Sequence, residues 1–175
     1  MLTVSRTTAP SQEMPASPGT AVSSKTRTSP AIPAHVLPQR TPAELLTLAR
    51  RGLVEAAGIP LDGLRYATAH LAALRAAAAV LAARARPVPG RRGRPTSVWA
   101  LLAKVAPELA EWAEFFAAGA AKRAAAEAGI RNAVTTREAD DLLRDAGRFL
   151  VVVESTLGVI GASSATTDST GQPTG

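Results

Sequence analysis

Apolar side chains return every third or fourth position through residues 41 to 157, in four runs separated by Pro, Gly and polar residues. That period is the signature of amphipathic helices. The first run, Leu45, Leu46, Ala49, Leu53 and Ala56, follows Thr41-Pro42-Ala43-Glu44. Thr41 as N-cap and Glu44 at the third helical position make a capping box, with Pro42 where a missing N–H costs nothing. Gly58 suits a left-handed C-cap, and Pro60 blocks continuation. The second run starts near Asp62 and carries Leu64, Ala67, Leu71, Leu74, Ala78 and Leu81 at the 3-4 spacing of near-parallel helix packing. The third starts after Pro95, capped by Thr96 or Ser97, with Val98, Leu102, Val105, Leu109, Trp112 and Phe116 on one face. Pro107 lies inside it, so a break near residue 106 is expected. The fourth opens on a second capping box, Thr135 and Glu138, with Ala139, Leu142, Leu143, Ala146, Leu150, Val153 and Leu157 facing inward and Gly158 closing it. "FLVVV" at 149 to 153 favours strand locally but continues the helical stripe, so no strand is predicted.

Short links between such helices favour antiparallel neighbours. The expected fold is an all-α, up-down four-helix bundle over residues 41–160. Residues 1–40 and 161–175 are rich in Ser, Thr and Pro without apolar period, and read as disordered tails. Met14 is an alternative start. The N-terminus has no apolar h-region, and the longest apolar stretch, 67 to 83, is interrupted by His70 and Arg75, so a cytoplasmic protein is the expectation.

Composition narrows the chemistry. Of 175 residues, 46% are hydrophobic but only 3% aromatic, so Ala, Leu and Val must build the core. There is no cysteine and only two isolated histidines, His35 and His70, which removes thiolate chemistry and makes neither a metal site nor a cofactor an expectation. The net charge of +6 suits an anionic partner, although an Arg- and Ala-rich genome gives the same bias. Charge is split along the chain: residues 41 to 95 hold nine Arg against three acids, and 96 to 160 hold seven bases against nine acids. Solvated faces explain this, as does pairing of the two halves within a bundle or across a dimer.

Two features carry candidate chemistry. "RARPVPGRRGRP" holds Arg84, Arg86, Arg91, Arg92 and Arg94 without an acid. It is either a solvated hairpin loop or an anion- or nucleic-acid-binding one, gripping phosphates without base stacking because no aromatic is interleaved. "RYATAH" holds Arg65 and His70. A histidine is fit for acid/base work near neutral pH. Five helical positions turn about 500°, however, so the two side chains point about 140° apart. His70 flanks Ala67, Leu71 and Leu74, which makes a histidine at the rim of the core the plainer reading. Arg65 is expected exposed. Tyr66, four residues before His70, is the one candidate neighbour.

The stretches "LLTLARRGLVEAAG", "RYATAHLAALRAAAAVLAARARP", "RGRPTSVWALLAKVAPELAEWAEFFAAGAAKRAAAEAG" and "TREADDLLRDAGRFLVVVESTL" resemble HEPN domains (higher eukaryotes and prokaryotes nucleotide-binding), and among them a small actinobacterial branch. The third stretch is the most distinctive. The resemblance covers about 41 to 157. It implies an all-α bundle, usually dimeric. Many such proteins are ribonucleases, often toxins, in which an Arg-x4-6-His motif from each subunit meets at the dimer interface. Others lack the motif and serve as binding or scaffolding modules, and some pair with a small nucleotidyltransferase. In the nuclease members the motif lies near the start of a late core helix. The matching "GIRNAVTTREADDLLRDAGRFL" has Arg131, Arg137 and Arg144, none followed by His at that spacing. Arg65 and His70 lie in the second helix instead, so the family's catalytic roles do not transfer to them by position. The expectation is a non-catalytic interaction or dimerisation module, self-associating through Ala-rich and Trp112/Phe116 surfaces. The alternatives are a metal-independent ribonuclease using Arg65 and His70, or an RNA- or DNA-binding protein using the 84–94 arginines.

Overall fold

The computed structural model describes residues 30–89 and 96–159. Five helices account for most of them: α1 (Pro42–Ala57), α2 (Asp62–Arg84), α3 (Val98–Val105), α4 (Ala110–Glu127) and α5 (Thr136–Thr156). The fold is all-α, as the apolar period requires. Both capping boxes are formed: Thr41 and Thr135 each accept from the backbone N–H of the glutamate at the third position, whose carboxylate returns to the cap. Ser97 caps α3 through Ala100 N–H. Pro107 does break the third helix, through a 3-10 turn at Pro107–Leu109.

Three local expectations fail. Gly58 is right-handed, at φ −87° and ψ −5°, because the chain tightens through Gly58 and Ile59 N–H bonds to Glu55 and Ala56 rather than reversing hand. The cap of α2 is Leu61, and Asp62 is already helical, its carboxylate turned to Arg65 and Thr136 instead of the backbone. Residues 30–40, read as tail, are structured. Ala31–Pro33 (β1) pairs in parallel with Arg86–Val88 (β2), directly after α2, where no strand was expected. Ile32 supplies the reason: it is buried with Leu81, Leu101 and Val105, an apolar anchor too isolated in sequence to show a period.

α2 is the hub, packed against α1, α3, α4 and α5. Of the stripe read from the sequence, Ala67, Ala78 and Leu81 are buried, but most of the sealed positions lie off it. Leu64 is 53% exposed and Leu71 and Leu74 are half-buried, whereas Ala69, Ala72, Ala73, Ala76, Ala77 and Ala79 are sealed. A helix surrounded by neighbours has no single wet face, and small side chains let four helices close on it. Gly52 on α1 shows how close: a Cβ there would stand 3.2 Å from the Ala72 Cβ. α2 is also long and apolar enough to cross a membrane, but 67% of that window is buried inside the domain, which accounts for its composition.

Candidate functional site

The two polar residues of "RYATAH" part company. Arg65 is not exposed as expected; its side chain is 12% accessible and closes one end of the domain. Nη1 donates to the Ile59 carbonyl at 2.8 Å, Nη2 pairs with Asp62, and Nε lies 3.1 Å from an Asp140 carboxylate oxygen at the start of α5. Asp62 also accepts from the Thr136 hydroxyl at 2.7 Å. Nη1 and Nη2 are each spent on a hydrogen bond, and the buried Nε faces Asp140 as an ion pair without a hydrogen bond, so the guanidinium has no free fork for a phosphate.

His70 is 1% exposed, deeper than a rim histidine. Its Nε2 lies 2.9 Å from the Phe116 carbonyl, so Nε2–H donates and Nδ1 keeps its lone pair. Nδ1 is buried without a partner. The ring meets Trp99 and Phe116 edge-on at centroid distances of 5.6 and 5.8 Å, with Tyr66 stacked at 6.4 Å. Phe116 is itself sandwiched against Trp99 and Trp112 and packed on Phe149. Burial is the main force holding the imidazole pKa below its ordinary value, opposed by the hydrogen bond to Phe116. The histidine is thus a neutral core group. Among the described residues no contact joins it to Arg65, and the imidazole is sealed from solvent.

Beside this cage Tyr66 is buried, and its hydroxyl fixes the residue facing it. A Cβ at Gly119 would stand 2.8 Å from Tyr66 Oη, so a larger residue there would require the Tyr66 hydroxyl to move. Burial also raises the Tyr66 phenol above its ordinary pKa. Lys122 pairs with Glu138, and that hydrogen bond, with those from Thr135, lowers the Glu138 carboxyl to about 2. No pattern along the chain announces this Tyr66–Gly119 fit, because the glycine sits mid-helix in an alanine run and its close approach shows only in the packed structure.

Of the five loop arginines, Arg91, Arg92 and Arg94 lie outside the described residues. Arg84 pairs with Glu108 and donates to the Thr156 carbonyl at 3.1 Å, while Arg86 is exposed. The split of charge along the chain resolves partly into contacts. Arg50–Glu154, Arg65–Asp140 and Arg84–Glu108 each join an arginine of the first half to an acid of the second. Among the described residues no three potential metal ligands gather.

A sequence profile of SAV_6107-like HEPN domains matches residues 56–154, more than half of the chain, from the end of α1 to the last turn of α5. The chain belongs to the HEPN family. No curated protein and no solved structure matches it. In this HEPN domain, then, the Arg-x4-His spacing at 65 to 70 is occupied by one residue of an ion-pair cluster and one of an aromatic core. Neither Arg131, Arg137 nor Arg144 has a histidine at the family's spacing.

Proposed function

We propose that this HEPN domain is a non-catalytic helical interaction module, acting as a homodimer in the cytoplasm. The observation that carries the non-catalytic part is the burial of His70 in an aromatic cage, with its one donor spent on the Phe116 carbonyl. A ribonuclease needs its acid/base within reach of the scissile phosphodiester. Arg65, divided among Ile59, Asp62 and Asp140, is equally committed.

The surface for pairing is not Trp112/Phe116: Phe116 is fully buried and Trp112 half-buried. What α4 turns outward is Phe115, 46% exposed, with Ala117, Ala118 and Ala121, and with Glu111 and Glu114 on the same face. Phe115, an exposed aromatic with small side chains around it, is the anchor this reading assigns to pairing with a second copy.

Two measurements test the reading. Sedimentation equilibrium at micromolar concentration should give a dimer that Phe115→Glu dissociates; a strict monomer removes the dimer. Incubation with structured RNA in the absence of metal should leave it intact. Cleavage by the wild-type chain that Arg65→Gln abolishes, with helicity retained, would make "RYATAH" a working site and sink the non-catalytic reading.

A further inference from the structure

α4 is the least anchored of the long helices. Of its 18 residues only Ala113 and Phe116 are buried, against five on α1, twelve on α2 and six on α5. It lies against α2 and α3, and its Trp112 and Phe116 reach Phe149 on α5. A segment with so few buried side chains is drawn from the low end of local stability, where opening does not require the whole domain to unfold.

The seam between α2 and α4 is crossed by the bond from His70 Nε2–H to the Phe116 carbonyl. A proton added at the partnerless Nδ1 would find no acceptor, and the cation would stand in a site 1% exposed. Two charged groups act on the imidazole, Arg123 and Glu127, and both belong to α4. Arg123 is a like charge to an imidazolium, and its own buried Nε reaches the Glu127 carboxylate only at 3.6 Å. Glu127 is half exposed, so water weakens the compensation it offers. The other elements add no charge to the ring. On α2 itself Tyr66 stays a neutral phenol, and Lys122 and Glu138 pair with each other and act on Tyr66. α3 presents Trp99, and on α5 Phe149 packs behind Phe116.

We propose that α4 is an acid-released arm: a proton on His70 sets a buried cation against Arg123 across the α2–α4 seam, and α4 leaves while α1, α2 and α5 stay packed. The bond to the Phe116 carbonyl is not what fails, since Nε2–H is present in both protonation states. Release is driven by the second N–H, which has no acceptor, and by repulsion from the arginine. Once α4 has moved, both nitrogens reach water and the imidazole regains its ordinary affinity for the proton. Burial holds the closed form below the ordinary value of 6.5. The open form therefore takes up the proton first, and opening gains on closing as pH falls below 6.5, by at most about tenfold per pH unit. The inference does not rest on pairing through Phe115, because the seam faces the interior of one copy.

The test is hydrogen exchange read by mass spectrometry on the full chain at about pH 7.5 and about pH 5, corrected for the intrinsic exchange rate at each pH. Protection in peptides from α4 should fall about tenfold or more, and in those from α1 and α5 by less than about threefold. In His70→Gln, whose amide can still donate to the Phe116 carbonyl, α4 should keep its protection at the lower pH. Equal losses in all helices would mean global acid unfolding and would overturn the proposal. So would an α4 that stays closed in wild type, or one that opens equally in His70→Gln, which would point to a carboxylate. Should His70→Gln not fold, Arg123→Gln carries the same test from a part-exposed position. Its α4 should open at a lower pH than that of wild type, and coincident profiles would overturn the proposal.

Discussion

Arg65 and His70 are five residues apart on one helix and show two ways of housing a polar side chain. At Arg65 the chain supplies charge and keeps an edge in water: Asp140 opposite it is half exposed. At His70 it supplies aromatic walls and one carbonyl, and leaves a nitrogen unanswered. The first arrangement is the looser one, since its Asp140 partner is half exposed and an ion pair that reaches water contributes little. The second is tight and conditional, because in a sealed site each missing or added atom is felt. The domain should therefore be fragile at one end of this short stretch and tolerant at the other.

The sharpest break is at the wall of the cage. Phe116→Ala should cost about 3–5 kcal/mol in urea unfolding, by removing the ring that meets Trp99, Trp112, Phe149 and His70 at once. A loss below about 1 kcal/mol, the scale of exposed pairs, would erase the contrast with Arg65. Next is Gly119→Ala, which drives a methyl into Tyr66 Oη and should cost about 1–3 kcal/mol despite the better helix propensity of alanine. Tyr66→Phe in the same chain should recover most of that loss; independent, additive effects of the two changes would show that the hydroxyl is not the obstacle.

A third, smaller effect is set by pH. The folded His70 has a lowered pKa, so the unfolded chain binds the extra proton first. Stability from this group is complete above the unfolded value of 6.5 and declines as pH falls below it, until the folded value is passed. Thermal melts of wild type from about pH 7.5 to about pH 5 should fall more steeply than those of His70→Gln. Parallel curves would mean that the imidazole is not the titrating group. Smallest of all is Asp140→Asn, expected to cost at most about 1 kcal/mol and to lose even that in high salt; a larger cost would make the Arg65 end as exacting as the cage.

What the sequence revealed follows the same division between local and gathered features. Thr41 with Glu44, Thr135 with Glu138 and Pro107 act on their own neighbours along the chain, and each could be read without knowing the fold. The hub helix could not. Periodicity marks a helix that has one wet side, and α2 is enclosed by four neighbours, so Leu64, Leu71 and Leu74 misled although Ala67, Ala78 and Leu81 are buried as read. His70 looked like a rim residue because its cage is assembled from Trp99 and Phe116, on helices beyond the next two turns of the chain. Ile32 is one apolar residue among prolines and alanines, and only its partners at Leu81, Leu101 and Val105 reveal it as an anchor.

That strand pairing has a consequence for how the chain is made. β1 and β2 bracket α1 and α2, but Ile32 of β1 is buried by Leu101 and Val105 of α3. The α1–α2 hairpin can close while the rest of the polypeptide is still inside the ribosome, and its clasp is sealed only when synthesis delivers α3. What the nascent unit then shows to its surroundings is the alanine-lined side of α2, a surface of small side chains that is slow to stick to other chains until α4 and α5 arrive to cover it.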